Sequence, residues 1–221
     1  MQMNSDHNKL INQAARHVLK KEGLFQKGSS RIWIDDNGWY LTVVEFQPSG
    51  WDKGSYLNVG MNFLWNKQDY LSFNYGHRVG SFVSHSREDD GFYSDMCAMA
   101  ETALQKVLEY RKFRDLQYAK EELLGYPRYL NETHGIYHKM MICGLNGDTH
   151  AQSLYHQLME RLPLAGTEWE QAYYRELRED IAPIIQNSDR MREYICDKVN
   201  AQRSWWREKP SMKKIREDFS L

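Results

Sequence analysis

The dipeptide Asn37-Gly38 constrains this chain more than any other feature. It lies between two β-rich runs, Ile32-Trp33-Ile34 and Tyr40 to Phe46. Asn-Gly accepts the positive φ angles of a type I′ turn, and a two-residue loop fixes the register of the strands it joins. Ile34 is then expected opposite Leu41 and Ile32 opposite Val43, all on one side, because side chains alternate with a period of two. Trp33, Tyr40, Thr42, Val44 and Phe46 take the other side. Both faces are largely apolar, so the hairpin is expected to be covered on both and to be central in its sheet.

Two further strands follow. Leu57, Val59, Met61, Phe63 and Trp65 alternate with Tyr56, Asn58, Gly60, Asn62 and Leu64. Leu71, Phe73, Tyr75, His77 and Val79 alternate with Tyr70, Ser72, Asn74, Gly76 and Arg78. With a turn at Asn66 to Asp69, this reads as an antiparallel meander with one apolar and one polar face. Gly80 to Ser84 suggests a short edge strand. About half of all Phe, Trp and Tyr side chains lie between Phe25 and Tyr93. Alternating strand positions account for most of them, so the aromatic richness is mainly a signature of sheet packing.

The flanking segments have helical periodicity. Leu10, Ile11, Ala14, Ala15, Val18 and Leu19 form an N-terminal helix face, with Asn4 or Ser5 as cap and Gly23 as stop. Met96, Met99, Ala100, Ala103, Leu104, Val107 and Leu108 form a stripe on a long helix that Asp90 or Ser94 caps and that reaches Leu124 before Gly125-Tyr126-Pro127. The remainder reads as helical. Segments run from Tyr129 to Ile142, from Asp148 to Leu162 before Pro163, from a Thr167/Glu170 capping box to Ile181, and from Ser188 to about Trp206. A short turn follows at Pro210-Ser211. The expected class is α+β: an N-terminal helix, an antiparallel meander of four to five strands, a long helix, then an all-helical C-terminal half. An α+β domain over residues 1–125 would precede a helical region over 126–221, as separate bodies or as one.

Composition narrows the function classes. The 221 residues carry 29 Lys and Arg against 30 Asp and Glu, so no broad positive field favours nucleic acid or acidic membranes. No apolar run approaches the ~20 residues that span a bilayer. Met1 to Glu22 lacks the apolar core of a secretory leader. Cys97, Cys143 and Cys196 are odd in number, far apart and form no CxxC pair, which fits a reducing cytosol. A cytoplasmic protein with no cofactor and no membrane partner is expected. Phosphate loops, nucleophile elbows and HExxH motifs do not occur in the sequence.

Four constellations carry candidate chemistry. The polar strand face gathers Tyr56, Asn58, Asn62, Ser72, Asn74 and Arg78 around a trough left by Gly60 and Gly76. A solvated face ordinarily carries Lys and Glu, whereas this one carries amides. Arg78 would anchor an anionic or carbonyl group, the amides would orient it, and Tyr56 and Trp33 would supply apolar contact. His134 and His138, four residues apart, share a helix face as a metal-binding pair would, with His150, His156 or Cys143 as third ligand. The basic tail between Lys198 and Arg216 holds Trp205 and Trp206 beside Arg203 and Arg207, a pattern used on nucleic acids. The acidic run Glu88-Asp89-Asp90, with Asp95, sits where a helix begins and its dipole favours negative charge.

The stretch Gly23-Leu24-Phe25-Gln26-Lys27-Gly28-Ser29-Ser30-Arg31-Ile32-Trp33, then Val44-Glu45-Phe46-Gln47-Pro48-Ser49 and Asn58-Val59-Gly60, resembles the opening of a bacterial family of uncharacterised proteins catalogued as a domain of unknown function. The resemblance covers roughly residues 20–80 and differs at Gly-Leu-Phe, where the family has Gly-Phe. It implies an intracellular bacterial protein and brings no catalytic residues. Taken together, the residues favour a cytosolic binding or interaction protein. Its strand face would hold a protein partner or a small polar ligand. A metal-assisted hydrolase at His134 and His138, and nucleic-acid binding by the tail, are the alternatives.

Overall fold

The structure, a computed structural model, describes residues 6–86, 89–127, 129, 131–162 and 167–221. The chain forms two compact units, Met1–Arg111 with Gln202–Leu221, and Lys112–Ala201. The class is α+β, with an N-terminal helix, an antiparallel sheet and then helices. The expected caps Asn4 and Ser5, Glu88 of the acidic run and the stop at Pro163 lie outside the described residues.

The first unit is built on five strands in the order β1-β2-β3-β4-β5. They are β1 (Phe25–Gln26), β2 (Ile32–Asp36), β3 (Tyr40–Gln47), β4 (Gly54–Phe63) and β5 (Tyr75–Ser84), each antiparallel to its neighbour. One face carries Trp33, Tyr40, Thr42, Val44, Phe46, Val59 and Met61, all buried. Helices α1 (Asp6–Leu19) and α2 (Asp89–Arg111) supply Ile11, Ala14, Phe92, Met96, Ala103 and Val107 to the same core. Tyr110 of α2 ties helix to sheet: its carbonyl accepts from the Tyr40 hydroxyl at 2.5 Å and its ring meets Tyr75 edge-on. Strand β3 is central and buried from Tyr40 to Val44, as apolar residues on both faces require.

The β2–β3 turn differs from the expected type I′. Ile34 opposes Val43 and Asp36 opposes Leu41, and the Asn37 N–H donates to the Tyr40 carbonyl, so the two loop residues are Gly38 and Trp39. Gly38 has φ +86° and no other residue type has positive φ among the described residues, which is the sign pattern of a type II′ turn with glycine first. The reason is the Asn37 side chain. It is buried, and its amide donates to the Asp35 carboxylate and the Thr42 hydroxyl, which holds Asn37 against the strand pair and out of the two loop positions. The register moves by two residues, so each side chain keeps its expected face.

Two further expectations change. The strand beginning near Leu71 starts instead at Tyr75, and it continues to Ser84, so Gly80 to Ser84 is not a separate strand. Residues 64–74 fold as a loop because Asn62 and Asn74 terminate the ladder with side chains: Asn62 accepts from Ser72 N and Asn74 accepts from Phe63 N. The long helix ends at Arg111 rather than Leu124. A 3-10 turn at Lys112–Arg114 follows, then Asp115 caps α3 (Leu116–Gly125) by accepting from Gln117 N and Tyr118 N. An aspartate that satisfies free helix N–H groups starts a helix even inside an apolar periodicity.

The C-terminal residues return to the first unit. Arg203 has no solvent exposure, and its guanidinium pairs with Asp36 at 2.7 Å and donates to the carbonyls of Gly38 and Arg216. The Arg216 N–H also donates to Asp36. Met212 and Ile215 are fully buried, and Phe219 lies where a side chain on Gly38 would stand. Burial, the largest single influence, would raise the Asp36 pKa, but the Arg203 hydrogen bonds and charge together with the Arg216 and Gly38 N–H groups outweigh it, and the carboxyl titrates below its ordinary value.

In the second unit α4 (Glu132–Asn146) is the central helix, buried along nearly its whole length, as a helix apolar all round must be. It begins at Asn131, whose side chain accepts from Thr133 N and His134 N, and ends at Gly147. Around it stand α3, α5 (His150–Arg161), α6 (Glu168–Glu176) and the first part of α7 (Ser188–Arg207). The Thr167/Glu170 capping box forms as the sequence predicts.

Replacing Arg203 by Met leaves a buried carboxylate without its partner and is expected to lower stability by ~3–5 kcal/mol. Adding Asp36→Asn removes the stranded charge, and the double variant should recover part of that loss in a chemical denaturation series. Equal or greater loss in the double variant would show that the pair is not what fastens the C-terminal segment.

Candidate functional site

A polar cleft lies in the first unit where the start of α1, the chain before β2 and the β3–β4 loop meet. It has a volume of about 380 Å³ and includes His7, Asn8, Arg31, Ser49, Trp51, Asp52 and Lys53 in its lining. That volume falls in the range of small-molecule sites. Arg31 is half-buried. Its guanidinium donates to the Gly54 carbonyl at 3.2 Å, to His7 Nε2 at 3.0 Å and to the Asn8 side-chain oxygen. All three acceptors are neutral, and no carboxylate pairs with Arg31 among the described residues. Burial lowers the Arg31 pKa, which is the cost of withdrawing a cation from water without an anion beside it.

His7 follows from the same contacts. Arginine has only donors, so Nε2 accepts and the neutral ring carries its proton on Nδ1. That Nδ1 is buried and has no hydrogen-bond partner among the described residues. Burial first, then Arg31, His85 and Lys53, lower the His7 pKa, so the ring stays neutral at pH 7. Opposite, the loop is held by Ser49, whose Oγ accepts from Trp51 N at 3.1 Å and Asp52 N at 3.3 Å. Gly54 closes the loop with φ +145°, and a Cβ there would stand 2.1 Å from the Val83 carbonyl. Glycine is required, and its carbonyl is the one that Arg31 meets.

The strand face is divided. At one end Arg78 lies 4.0 Å over the Tyr56 ring and donates to Gln47 and Asn58, while Asn58 donates to Glu45 and Gln47. This is an exposed cluster whose members largely satisfy one another. At the other end Asn62 is fully buried and Asn74 bonds backbone, so both serve the loop between β4 and β5. Phe73 covers Gly60 and fills the expected trough. Trp33 is 2% exposed and belongs to the opposite, helix-covered face, so it does not join Tyr56 and Arg78.

The tail residues are mostly internal. Arg203 and Trp206 are buried, Arg207 bonds the Ile215 carbonyl and Glu217, and Trp205 packs edge-on against Trp206 beneath Lys209. Their charges and rings fasten the C-terminal segment.

In the second unit His134 and His138 share a face of α4 with ring centroids 6.3 Å apart. His134 packs against Trp169 and Tyr173, and His138 is 1% exposed among aromatic rings. Burial pushes the His138 pKa down to about 3. Among the described residues no group of three His, Cys, Asp or Glu side chains is placed to hold a metal ion. Cys143 is buried, and its thiol is pushed up to about 12, far from the thiolate a nucleophile needs.

The residues of the Arg31 cleft were not assembled from the sequence. Contacts such as Arg31 to His7 join positions 24 apart, with no motif to announce them. Trp51 does carry a signal: it is an aromatic inside the turn-rich segment Pro48-Ser49-Gly50-Trp51-Asp52-Lys53-Gly54, outside any strand alternation. No helix among the described residues is long and apolar enough to cross a membrane. Neither a protein-family model, nor a curated protein, nor a solved structure matches this chain.

The neutral burial of His138 sets an acid limit. Its folded pKa lies below the ordinary 6.5, so the unfolded chain takes up a proton that the native protein refuses. Stability is therefore full above pH 6.5 and falls as pH drops toward 3, by at most ~5 kcal/mol from this group. His138→Leu should flatten the loss of melting temperature between pH 6.5 and 4; an unchanged slope would assign the acid sensitivity elsewhere.

Proposed function

We propose that this chain is a binding protein that holds a small organic anion in the cleft at Arg31. One observation carries the reading: a half-buried guanidinium whose described partners are all neutral. A charge withdrawn from water is costly unless an opposite charge meets it, and a hydrogen bond to a charged group contributes ~1.5–3 kcal/mol. Lys53 adds a second cation on the wall. The reading keeps the small polar ligand expected from the sequence and moves its anchor from Arg78 to Arg31. The Arg78 cluster supports a ligand less well, because Arg78 is exposed and its charge remains in water.

Calorimetric titration with sodium phosphate at low ionic strength tests the proposal. The native chain should bind, Arg31→Lys should bind about tenfold more weakly because it loses the planar fork, and Lys53→Ala, on an exposed side chain, should bind more weakly with its fold unchanged by circular dichroism. No binding by the native chain, or equal binding by all three, would sink the proposal.

A further inference from the structure

We infer that the ligand of this cleft is a phosphate monoester joined to a planar heterocycle, of the mononucleotide class; the inference rests on the anion-binding reading above. Three features select the phosphate. Arg31 offers a guanidinium and Lys53 an ammonium. Ser49 adds a hydroxyl: its Oγ accepts two backbone N–H groups and keeps its own proton to donate. Three donor groups from two segments of the chain suit the three terminal oxygens of a phosphate monoester better than the two of a carboxylate.

Trp51 selects the ring. It is 96% exposed, yet its backbone is fixed by the Ser49 hydroxyl in the turn. A large indole presented to solvent on an ordered loop, on the wall of a cationic cleft, is a stacking platform for a flat π-system, which a sequence-tolerant base contact requires. Asp52 stands on the same wall. Its carboxylate accepts hydrogen bonds from sugar hydroxyls and repels a second or third phosphate, which favours a monophosphate over a polyphosphate.

The test uses the full chain with three probes: adenosine 5′-monophosphate, inorganic phosphate and adenosine. Calorimetry, with Trp51 fluorescence as a second signal, should rank adenosine 5′-monophosphate at least about tenfold above phosphate, with adenosine weakest. Trp51→Ala should bring the nucleotide down to the affinity of phosphate and leave phosphate itself unchanged, and Trp51→Phe should retain most of the advantage. Trp51 makes no core contact, so loss of fold does not confound the variant. Phosphate binding with no nucleotide advantage, or an advantage that survives Trp51→Ala, overturns the inference while leaving the anion site standing. Binding of none of the probes overturns both.

Discussion

The turn between β2 and β3 and the returning C-terminal segment are joined through the carboxylate of Asp36. It receives the Arg203 guanidinium and the Arg216 N–H, and it accepts from the Gly38 N–H in the turn that joins β2 to β3. One acidic side chain therefore fixes a strand end, a turn and the returning C-terminal segment. Removing charge from water is unfavourable, and the arrangement holds because several donors converge on the group. The aromatic cluster beside it, with Trp39 stacked on Trp65 at 4.8 Å and Phe63 and Tyr40 around them, closes the same end of the sheet.

The sheet has two ends with different chemistry. The turn end is dry, aromatic and sealed by ion pairing. The end at the β3–β4 loop is wet and cationic, and there the chain leaves a guanidinium with neutral company and an indole in solvent. Local rules that favour compactness are followed at the first and broken at the second. Such departures gather where a protein meets something other than itself.

Much of the architecture was legible in the sequence because it rests on local periodicity. The alternation in β3 and β4, the helical stripes of α1 and α2 and the Thr167 capping box all act over a few residues. The turn at Gly38 was legible in place but not in type, since the side chain of Asn37 is committed to Asp35 and Thr42 by contacts that a dipeptide rule does not contain. The break at Asp115 was written in plain view as a helix-capping residue, and apolar spacing on both sides masked it. The site was least legible. Arg78 and Tyr56 were found together because they share one face of one strand pair, with Arg78 opposite Asn58 two residues along from Tyr56. Arg31, His7 and Trp51 come from three separate segments, and only tertiary structure brings them together. The basic tail misled for the opposite reason: Arg203 and Trp206 have the composition of a surface and the burial of a core.

The first unit is made of two stretches of chain separated by the whole of the second. Synthesis runs from the N-terminus, so β2 and its turn leave the ribosome 167 residues ahead of the arginine that neutralises Asp36. At ordinary elongation rates that interval is roughly ten to thirty seconds. During it any sheet that forms lacks its clasp, with the side that Met212, Ile215 and Phe219 meet still open. The second unit, continuous in sequence, has all of its own residues before the first is finished, so the order of completion in this protein is the reverse of the order in which the two units begin.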